Sequence, residues 1–291
     1  MTDSPANQLA NSSAARTVSW AQNHEDIVLA RGLTGLGGFY VDIGAFDPEL
    51  ESVTKLFYER GWRGINVDPI ATFIDRFELE RPRDINICAA VSDHDSEMEI
   101  WVSPAEVPGH STLDAGIAEA HHADGQQFVP KRVRSLRLDT LLTTFVPPGQ
   151  SIDFLKVDVE GAEAAVLASW NSHQHRPRVI VVEAMAPHID GSTHETWEHH
   201  LIEGGYALVL FDGLNRFYVA EDDTVLAAKL SAPANVLDDF ESVVHRDLRQ
   251  FCQVQNDELA HWKEVGRAFR ERTAWLEARL AEEDQRLDQT A

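Results

Sequence analysis

Acidic residues follow several apolar, strand-like segments of the sequence, and such positions can act on a ligand. The segments "FYVDIG", "GINVDP", "INICAAVS", "IDFLKVD" and "RVIVVEA" are rich in β-branched residues and are bounded by Gly, Pro or acids. In open parallel sheets, ligands bind beyond the carboxyl ends of the strands. The residues at these ends are Asp42, Gly44, Asp47, Asp68, Ser92, Asp93, Asp158, Glu160 and Glu183. Carboxylates dominate this set, which favours a cationic or zwitterionic ligand.

The turn in "GGFYVDIGAFDPELES", residues 37–52, has the general shape of a nucleotide-binding turn but a different chemistry. A dinucleotide site needs G-x-G-x-x-G so that backbone amides can approach a pyrophosphate. Here Gly44 is followed by Ala45 and Phe46, and then by Asp47, whose carboxylate would repel a pyrophosphate. The turn therefore disfavours NAD and FAD and suits a ligand with an ammonium and no phosphate.

S-adenosylmethionine is such a ligand, because it carries an ammonium, a sulfonium and an adenosine. We expect Gly44, with Ala45 beside it, to allow its close approach. Either Asp42 or Asp47 would accept hydrogen bonds from the ammonium. The sequence leaves open which of the two does so and which orders the turn.

The next two segment ends offer partners for the adenosine. Asp68 ends the second segment, where an acid in dinucleotide folds holds the ribose hydroxyls. Ser92 and Asp93 follow the third segment and would meet the adenine edge. The alternative for Asp68, which precedes Pro69, is that it only caps the following helix.

Strand-like and helix-like segments alternate from about residue 19 onwards, which predicts a parallel sheet with helices on both faces. Ser19 and Gln22 have capping-box spacing, so we expect a helix to begin there and to stop at Gly37 and Gly38. The last two strands, "YALVLFD" and "RFYVAE", are joined by a turn and should pair antiparallel. The predicted fold class is α/β, with a doubly wound, mostly parallel sheet and an antiparallel terminal strand.

The chain divides by its pattern into residues 1–17, a flexible tail; residues 18–240, the α/β domain; and residues 241–291, a helical segment. Apolar residues in the last part recur at spacings of three and four, which is typical of an amphipathic helix, or of two. Gln255, Glu258 and Arg272 interrupt this pattern, so a sustained coiled coil stays an open alternative.

The formal net charge of −23 excludes several classes of partner. Phosphate backbones are held by Lys and Arg, so nucleic acid is not expected, and anionic membrane surfaces are disfavoured for the same reason. We find neither a secretory signal nor an apolar run of about 20 residues that would span a membrane. The two distant cysteines, Cys88 and Cys252, fit a reducing compartment, so we expect a soluble, cytoplasmic protein.

Taken together, the motifs resemble those of FkbM-type S-adenosylmethionine-dependent methyltransferases. They are "SWAQNHEDIVL", "GGFYVDIGAFDP", "SVTKLFYERGWRGINVDP", "RPRDINICAAVSD", "STLD", "IDFLKVDVEGAEAAVL" and "FDGLNRFYVA". The resemblance covers roughly residues 18–240 and implies a class I, Rossmann-like methyltransferase fold. It also implies O-methylation of a sugar or related hydroxyl in polysaccharide or natural-product assembly. The positions that match the family's cofactor site are Asp42, Gly44, Asp47, Asp68, Ser92 and Asp93.

The resemblance places "DVEGAE", the family's most distinctive block, beside the methyl donor. An alcohol is a poor nucleophile until it loses its proton, so methyl transfer to oxygen needs a base. Candidates are Asp158 and Glu160 in this block, His24 in "QNHED" and His110 in "PGHSTLD". The alternative for His24 is a solvent-exposed helix N-terminus.

Further residues are candidates for contacting the acceptor or a metal. The acceptor candidates are Ser111, Thr112, Glu183, Asn215 and Arg216. The alternative for Ser111 and Thr112 is that they only cap a helix. The alternative for Asn215 and Arg216 is that a tight turn alone explains their presence. Asp158 and Glu183 could hold Mg²⁺, although strand-end acids more often act as hydrogen-bonding groups.

Two functions are compatible with the sequence. The first is an S-adenosylmethionine-dependent O-methyltransferase that acts on a small-molecule or glycan acceptor. The alternative is a catalytically silent, methyltransferase-like module that uses residues 241–291 to form a homodimer or to dock a glycosyltransferase.

Overall fold

The computed structural model describes residues 16–102, 128–185 and 193–288 of the 291-residue chain, which divides into two compact units after Phe240. The strands are β1 Thr17–Ser19, β2 Phe39–Ile43, β3 Arg63–Asp68, β4 Ile85–Cys88, β5 Ala90–Ser92, β6 Ser96–Val102, β7 Val129–Arg137, β8 Phe154–Val157, β9 Val179–Glu183, β10 Tyr206–Phe211, β11 Asn215–Ala220 and β12 Phe240–Ser242. The helices are α1 Glu25–Gly32, α2 Lys55–Glu59, α3 Ala71–Glu80, α4 Leu138–Phe145, α5 Glu163–Ala168, α6 Glu198–Glu203, α7 Thr224–Leu230 and α8 Val243–Asp288, with short 3₁₀ helices at His194–Thr196 and Val236–Asp238.

Among the described residues, seven strands form the central sheet in the order β4-β3-β2-β8-β9-β11-β10. The strands from β4 to β9 in this order are mutually parallel. β11 pairs antiparallel with both β9 and β10, so the antiparallel pairing predicted for the last two strands is confirmed. β11 is the last strand of the sheet along the chain but not its edge strand. At this end of the sheet the edge strand is β10, which runs in the direction of the parallel strands.

Alternating side chains of the central strands enter two apolar cores, one on each face of the sheet. Val41 and Ile43 of β2 lie in one core together with Leu142 of α4. Tyr40, between them in sequence, lies in the other core with Leu29 of α1. Strands that are buried on both faces appear in the sequence as continuous apolar runs, and β9 is such a strand. Helices therefore cover both faces, as the alternating sequence pattern predicted.

The segment "INICAAVS", which we expected to form one strand, contributes to two sheets. β4 pairs with β3 up to the Asp68–Cys88 position, and the amide of Ala89 donates to the Asp68 carbonyl at 3.1 Å. β5 then pairs parallel with β7 in a separate three-stranded sheet of order β5-β7-β6. The prediction of a single strand was wrong because the second half finds its partner about 45 residues later in the chain, in β7.

The first helix begins later than the capping-box spacing predicted. Ser19 ends β1, and its hydroxyl donates to Asp26 Oδ1 at 2.8 Å instead of capping a helix. α1 starts at Glu25 after His24, which adopts the left-handed conformation (φ 65°). The helix ends at Gly32, before Gly37 and Gly38. The buried Asp26 carboxylate also accepts the amides of Trp20 and Ile27, so a local polar network fixes this start.

The second unit contains one long helix, α8, and most of its described side chains are exposed. The prediction left open whether this region forms one helix or two, and the structure shows one. In the part of the chain that the structure describes, every helix is too short or too polar to cross a membrane.

Candidate active site

Parallel strands β2, β3, β8 and β9 end at one edge of the sheet, and their carboxylates come together there. β8 contributes the centre of the site. Its residue Lys156 is buried, and Asp158 follows the end of the strand. The edge contains two linked groups of side chains, one around Lys156 and one around Asp158.

Lys156 supplies the positive charge of the first group. Its Nζ lies 3.6 Å from Asp42 Oδ1 and 3.1 Å from Asp158 Oδ2, and it donates to the Gly44 carbonyl at 3.3 Å. Burial alone would lower the pKa of Lys156, but the charges of Asp158 and Asp42 together raise it above its ordinary value. Lys156 therefore stays charged and partly neutralises both carboxylates.

Asp158, Glu160 and Glu183 form the second group, with carboxylate oxygens within 4.8 Å of one another. Burial, followed by the charge of Asp158, raises the pKa of Glu160 to about 8 and that of Glu183 to about 11. Three adjacent carboxylates cannot all ionise without a compensating charge. The single charge of Lys156 beside Asp158 cannot balance all three carboxylates, so the group favours proton sharing or a bound cation.

The loop after β8 places Glu160 in this group. Glu160 has a positive φ of 52°, which is unusual for a residue with a side chain, and Gly161 follows with φ 100°. Glu163, at the start of α5, accepts the amides of Val159 and Gly161 through Oε1 at 3.1 and 3.2 Å. Glu163 thus holds the loop in the conformation that presents Glu160.

Gly44 is required by a contact within the protein itself. Its φ is +79°, and a Cβ atom there would lie 1.7 Å from the Asp158 carbonyl oxygen. We expected the missing side chain to make room for a ligand, but the structure fills this space with the chain after β8. The amides of Gly44 and Ala45 both donate to the Val67 carbonyl, which ties the turn to β3.

Asp42 and Asp47 are placed differently in this turn. Asp47 Oδ1 accepts the amides of Glu49 and Leu50, each at 2.9 Å, and its other oxygen pairs with Arg76. Asp42 is buried in the strand, where Thr54 Oγ1 donates to Oδ2 at 3.2 Å. Asp47 therefore orders the turn, and the ammonium nearest to Asp42 is that of Lys156.

Arg81 is a buried residue that holds the segment after the turn. Its guanidinium donates to the Thr54 and Ser52 hydroxyls at 2.6 and 2.7 Å, and also to the Pro48 carbonyl. Thr54 in turn binds Asp42. Arg81 therefore positions the partner of Asp42 without contacting the sheet edge itself.

Asp68 lies at the end of β3, as the sequence indicated, and both of its oxygens accept backbone amides. Phe46 donates to Oδ2 at 3.1 Å and Ile70 donates to Oδ1 at 2.8 Å. Burial raises the pKa of Asp68 to about 7. It thus links the turn after β2 to the start of α3, and each oxygen retains a lone pair for a ligand hydroxyl.

Ser92 and Asp93 lie outside this group of contacts. Ser92 ends β5 in the three-stranded sheet and Asp93 follows it, so neither residue ends β4 in the central sheet. Ser92 is buried, whereas Asp93 is exposed and pairs with His94 at 2.6 Å. The expectation that they end the third strand of the central sheet was wrong, because the chain changes sheets at Ala89.

α1 brings Glu25 to Asn215 at the start of β11. Asn215 Nδ2 donates to Glu25 Oε1 at 2.6 Å, and Asn215 is paired with Glu183 in the β9–β11 ladder. Burial raises the pKa of Glu25 to about 7. His24 Nδ1 lies 2.9 Å from the Ser19 hydroxyl, and its ring packs on Phe240.

Arg216 belongs to a different network from its neighbour in β11. Its Nη1 donates to Glu198 Oε1 of α6 at 3.0 Å, and the Tyr218 hydroxyl donates to the same oxygen at 2.8 Å. Successive residues of a strand point to opposite faces, so Asn215 but not Arg216 is linked to the carboxylate edge.

Three further candidates lie in residues 103–127, outside the described residues. They are the acceptor candidates Ser111 and Thr112 and the base candidate His110.

Sequence reasoning missed Lys156 and considered Glu25 only as a neighbour of His24 over the cofactor. Lys156 had a signal, since a lysine inside the buried strand "FLKV" needs a buried partner for its charge. The signal for Glu25 was weak. Glu25 is an acid beside His24 in "QNHED", and its partner Asn215 is 190 residues away in the chain.

Comparisons with known proteins bear on this site. Residues 42–208, more than half of the chain, match the family described as Methyltransferase FkbM domain. No curated protein sequence matches the chain. A crystal structure of a TehB-like SAM-dependent methyltransferase from Corynebacterium glutamicum is similar at 9% identity and a TM-score of 0.37, over 74% of this chain and 93% of that one. The family match spans the strand ends from Asp42 to Glu183, and the chain belongs to the FkbM family of S-adenosylmethionine-dependent methyltransferases.

Proposed function

We propose that the protein methylates a hydroxyl of a sugar, or of a glycosylated natural product, with S-adenosylmethionine as the donor. The observation that carries this proposal is the group formed by Asp158, Glu160 and Glu183 at the sheet edge. Methyl transfer to an alcohol needs a proton acceptor, and this group provides one. The acceptor class rests on the motif resemblance, and the charge of −23 counts against phosphate-rich acceptors.

The sheet order supports a class I, Rossmann-like methyltransferase arrangement. β2 lies at the centre, where the strand order reverses between β3 on one side and β8 on the other. Ligands of doubly wound sheets bind at this reversal, beyond the carboxyl ends. The carboxylate edge lies at that point.

The residues at the edge fit a ligand with an ammonium and a sulfonium. Lys156 carries one positive charge beside two carboxylates, those of Asp42 and Asp158, and so offsets only part of their charge. The edge therefore keeps an excess of negative charge, which favours a cationic ligand. We assign Asp42 to the ammonium side of the site and Asp68 to the ribose hydroxyls.

The donor, when bound, supplies a methyl group on a good leaving group. The chain's own residues must then orient the acceptor hydroxyl, exclude water and take up the hydroxyl proton. We assign the proton to Glu160, because a pKa of about 8 lies near the operating pH at which a general base is most effective. Asp158, fixed by Lys156, positions Glu160 and Glu183.

A divalent cation is the second candidate for balancing the same three carboxylates. Their oxygens suit Mg²⁺, which is often held by few carboxylates and retains several waters. Asp158, Glu160 and Glu183 would hold it, and the metal would lower the pKa of an acceptor hydroxyl. Proton sharing and metal binding are therefore alternative ways to relieve the same repulsion.

A screen of sugar-containing acceptors with methyl-labelled donor, with and without EDTA, tests reaction, acceptor class and metal together. We expect transfer to a neutral glycoside and loss of turnover in Glu160→Gln. Folded protein that binds neither S-adenosylmethionine nor S-adenosylhomocysteine in calorimetry would overturn the proposal. Turnover that survives EDTA would exclude the metal, and turnover of any acceptor would exclude a silent module.

Calorimetry on Asp68→Asn tests the ribose assignment separately. We expect cofactor affinity to fall about tenfold or more, since a charge-assisted hydrogen bond is lost. Asp75→Asn, on an exposed position of α3, is the matched control. Unchanged affinity in Asp68→Asn would leave Asp68 with only its role of binding the Phe46 and Ile70 amides.

A further inference from the structure

Helix α8 (Val243–Asp288) exposes a row of large apolar side chains, among them Trp262 at 67% and Phe269 at 70% exposure. With about 3.6 residues per turn, the members of this row fall on one side of the helix. We call the row the α8 stripe; it consists of Val244, Leu248, Phe251, Leu259, Trp262, Phe269, Leu276 and Leu280. An exposed apolar face of this length is typical of an interaction surface.

We propose that the α8 stripe packs against the same stripe of a second copy of the chain, in an antiparallel arrangement. The midpoint of α8 falls between Val265 and Gly266, and four of the eight stripe residues lie at equal distances on either side of it. Two antiparallel copies aligned at this point pair Trp262 with Phe269, and Phe251 with Leu280. Gly266 at the centre allows the two helices to approach closely.

The charged residues that interrupt the stripe favour the antiparallel direction. In a parallel, in-register dimer, Glu258 would face Glu258 and Arg272 would face Arg272, and both pairs would repel. In the antiparallel alignment Glu258 lies beside Arg272 of the second copy. Arg272 stacks on the Trp275 ring of its own helix at 4.5 Å, which leaves its N–H groups able to donate to a carboxylate.

The ends of α8 carry opposite net charge. The first fourteen residues contain two arginines and one aspartate, whereas the last fourteen contain five carboxylates and two arginines. Antiparallel pairing places each basic end beside an acidic end, and it also opposes the two helix dipoles. Parallel pairing would bring the two acidic ends together.

The length of the stripe is sufficient for a specific interface. The α8 stripe runs from Val244 to Leu280, which is about 55 Å of a helix about 10 Å wide, so it offers on the order of 550 Å² per partner. Two copies would bury about 1,100 Å² in total, which exceeds the roughly 1,000 Å² expected of a specific protein interface. The α8 stripe alone is therefore large enough to hold a dimer.

Sedimentation equilibrium of the full-length chain over a concentration series tests this proposal, and we expect a dimer. Trp262→Glu/Phe269→Glu should weaken the dimer by about 100-fold or more, because two charges enter the centre of the interface. The control Ala260→Glu/Ala278→Glu adds the same charges on the opposite side of α8 and should leave the dimer intact. Circular dichroism verifies that both variants keep the helix.

Charge reversal tests the direction. Glu258→Arg and Arg272→Glu should each weaken the dimer, and the double reversal should restore it. Weakening in the double variant that equals the sum of the single effects would overturn the antiparallel arrangement. Wild-type chain that stays monomeric at about 100 µM would overturn self-association altogether. Neither result depends on methyl transfer, so the proposed function is tested separately.

Discussion

Lys156 is the residue on which the charge balance of the site depends. Its ammonium lies near two carboxylates, Asp42 and Asp158, that come from the ends of neighbouring strands. A charge inside an apolar strand is costly unless it is paired. Lys156 therefore both stabilises the sheet edge and fixes the carboxylate next to Glu160.

We predict that Lys156→Met destabilises the protein by about 3–5 kcal/mol, because Asp42 is left buried without its cation. Urea unfolding at neutral pH measures the change. Lys229→Met, at an exposed position of α7, is the control and should change the free energy of unfolding by less than about 0.5 kcal/mol. A loss in Lys156→Met no larger than in the control would show that the pairing contributes little.

The carboxylate group gives a prediction for pH. Since the pKa of Glu183 is raised to about 11 from 4.5, the folded chain keeps a proton there that the unfolded chain loses. The contribution of Glu183 to the free energy of unfolding should therefore fall as pH rises from about 5 to 9, by at most about 1.4 kcal/mol per pH unit. Glu183→Gln should flatten this slope, and Glu221→Gln, at an exposed position, should not.

Mg²⁺ provides an internal check on that prediction. A bound cation keeps the carboxylates ionised, so added Mg²⁺ should stabilise the folded chain more strongly as pH rises if the metal site exists. The free energy of unfolding could also stay constant with pH both in the absence and in the presence of Mg²⁺. That result would show that neither proton sharing nor a metal balances the charge of the three carboxylates.

At this scale the sequence predicted which acids stand at strand ends, because a strand end can be recognised locally. It did not predict what each acid does. Asp47 and Asp68 bind backbone amides of neighbouring turns, and Glu25 binds a residue far along the chain. These partners are set by tertiary packing, which spacing in the sequence does not encode.

At the scale of elements, the turn after β2 and the loop after β8 are in direct contact. The Asp158 carbonyl lies against the Cα of Gly44, in the space where any other residue would carry Cβ. This contact fixes the position of the two loops relative to each other at the sheet edge.

We predict that Gly44→Ala destabilises the protein more than Gly37→Ala does. Both glycines have positive φ, but a Cβ at Gly37 would meet nothing within 4 Å. Gly37→Ala should therefore cost only the backbone strain of about 1–2 kcal/mol, and Gly44→Ala about 2 kcal/mol more. Thermal unfolding compares the two variants, and equal losses would argue that the loops separate easily.

The order and type of most elements followed from the sequence, because buried strands and Gly or Pro boundaries are local signals. The two errors have one cause in common. The division of "INICAAVS" between sheets depends on β7, and the late start of α1 depends on the packing of Asp26 against Ser19 and Trp20. Tertiary contacts therefore overrode local propensity in both places.

At the scale of the whole molecule, the charge of −23 should act on acceptor choice. We predict that a uronic-acid glycoside binds more weakly than its neutral counterpart at low salt. Its KM should fall roughly threefold as added salt screens the repulsion, whereas the KM of the neutral glycoside should stay constant. Initial rates at several salt concentrations measure this, and identical salt dependence of the two acceptors would contradict it.

The contact between Gly44 and Asp158 has a kinetic consequence. The turn after β2 lies on the side of the site assigned to the donor, and the loop after β8 lies on the side assigned to proton transfer. Because one backbone rests on the other, we expect that a movement of either loop also displaces the other. Exchange of donor and acceptor should therefore be coupled, with both loops moving together when the products leave.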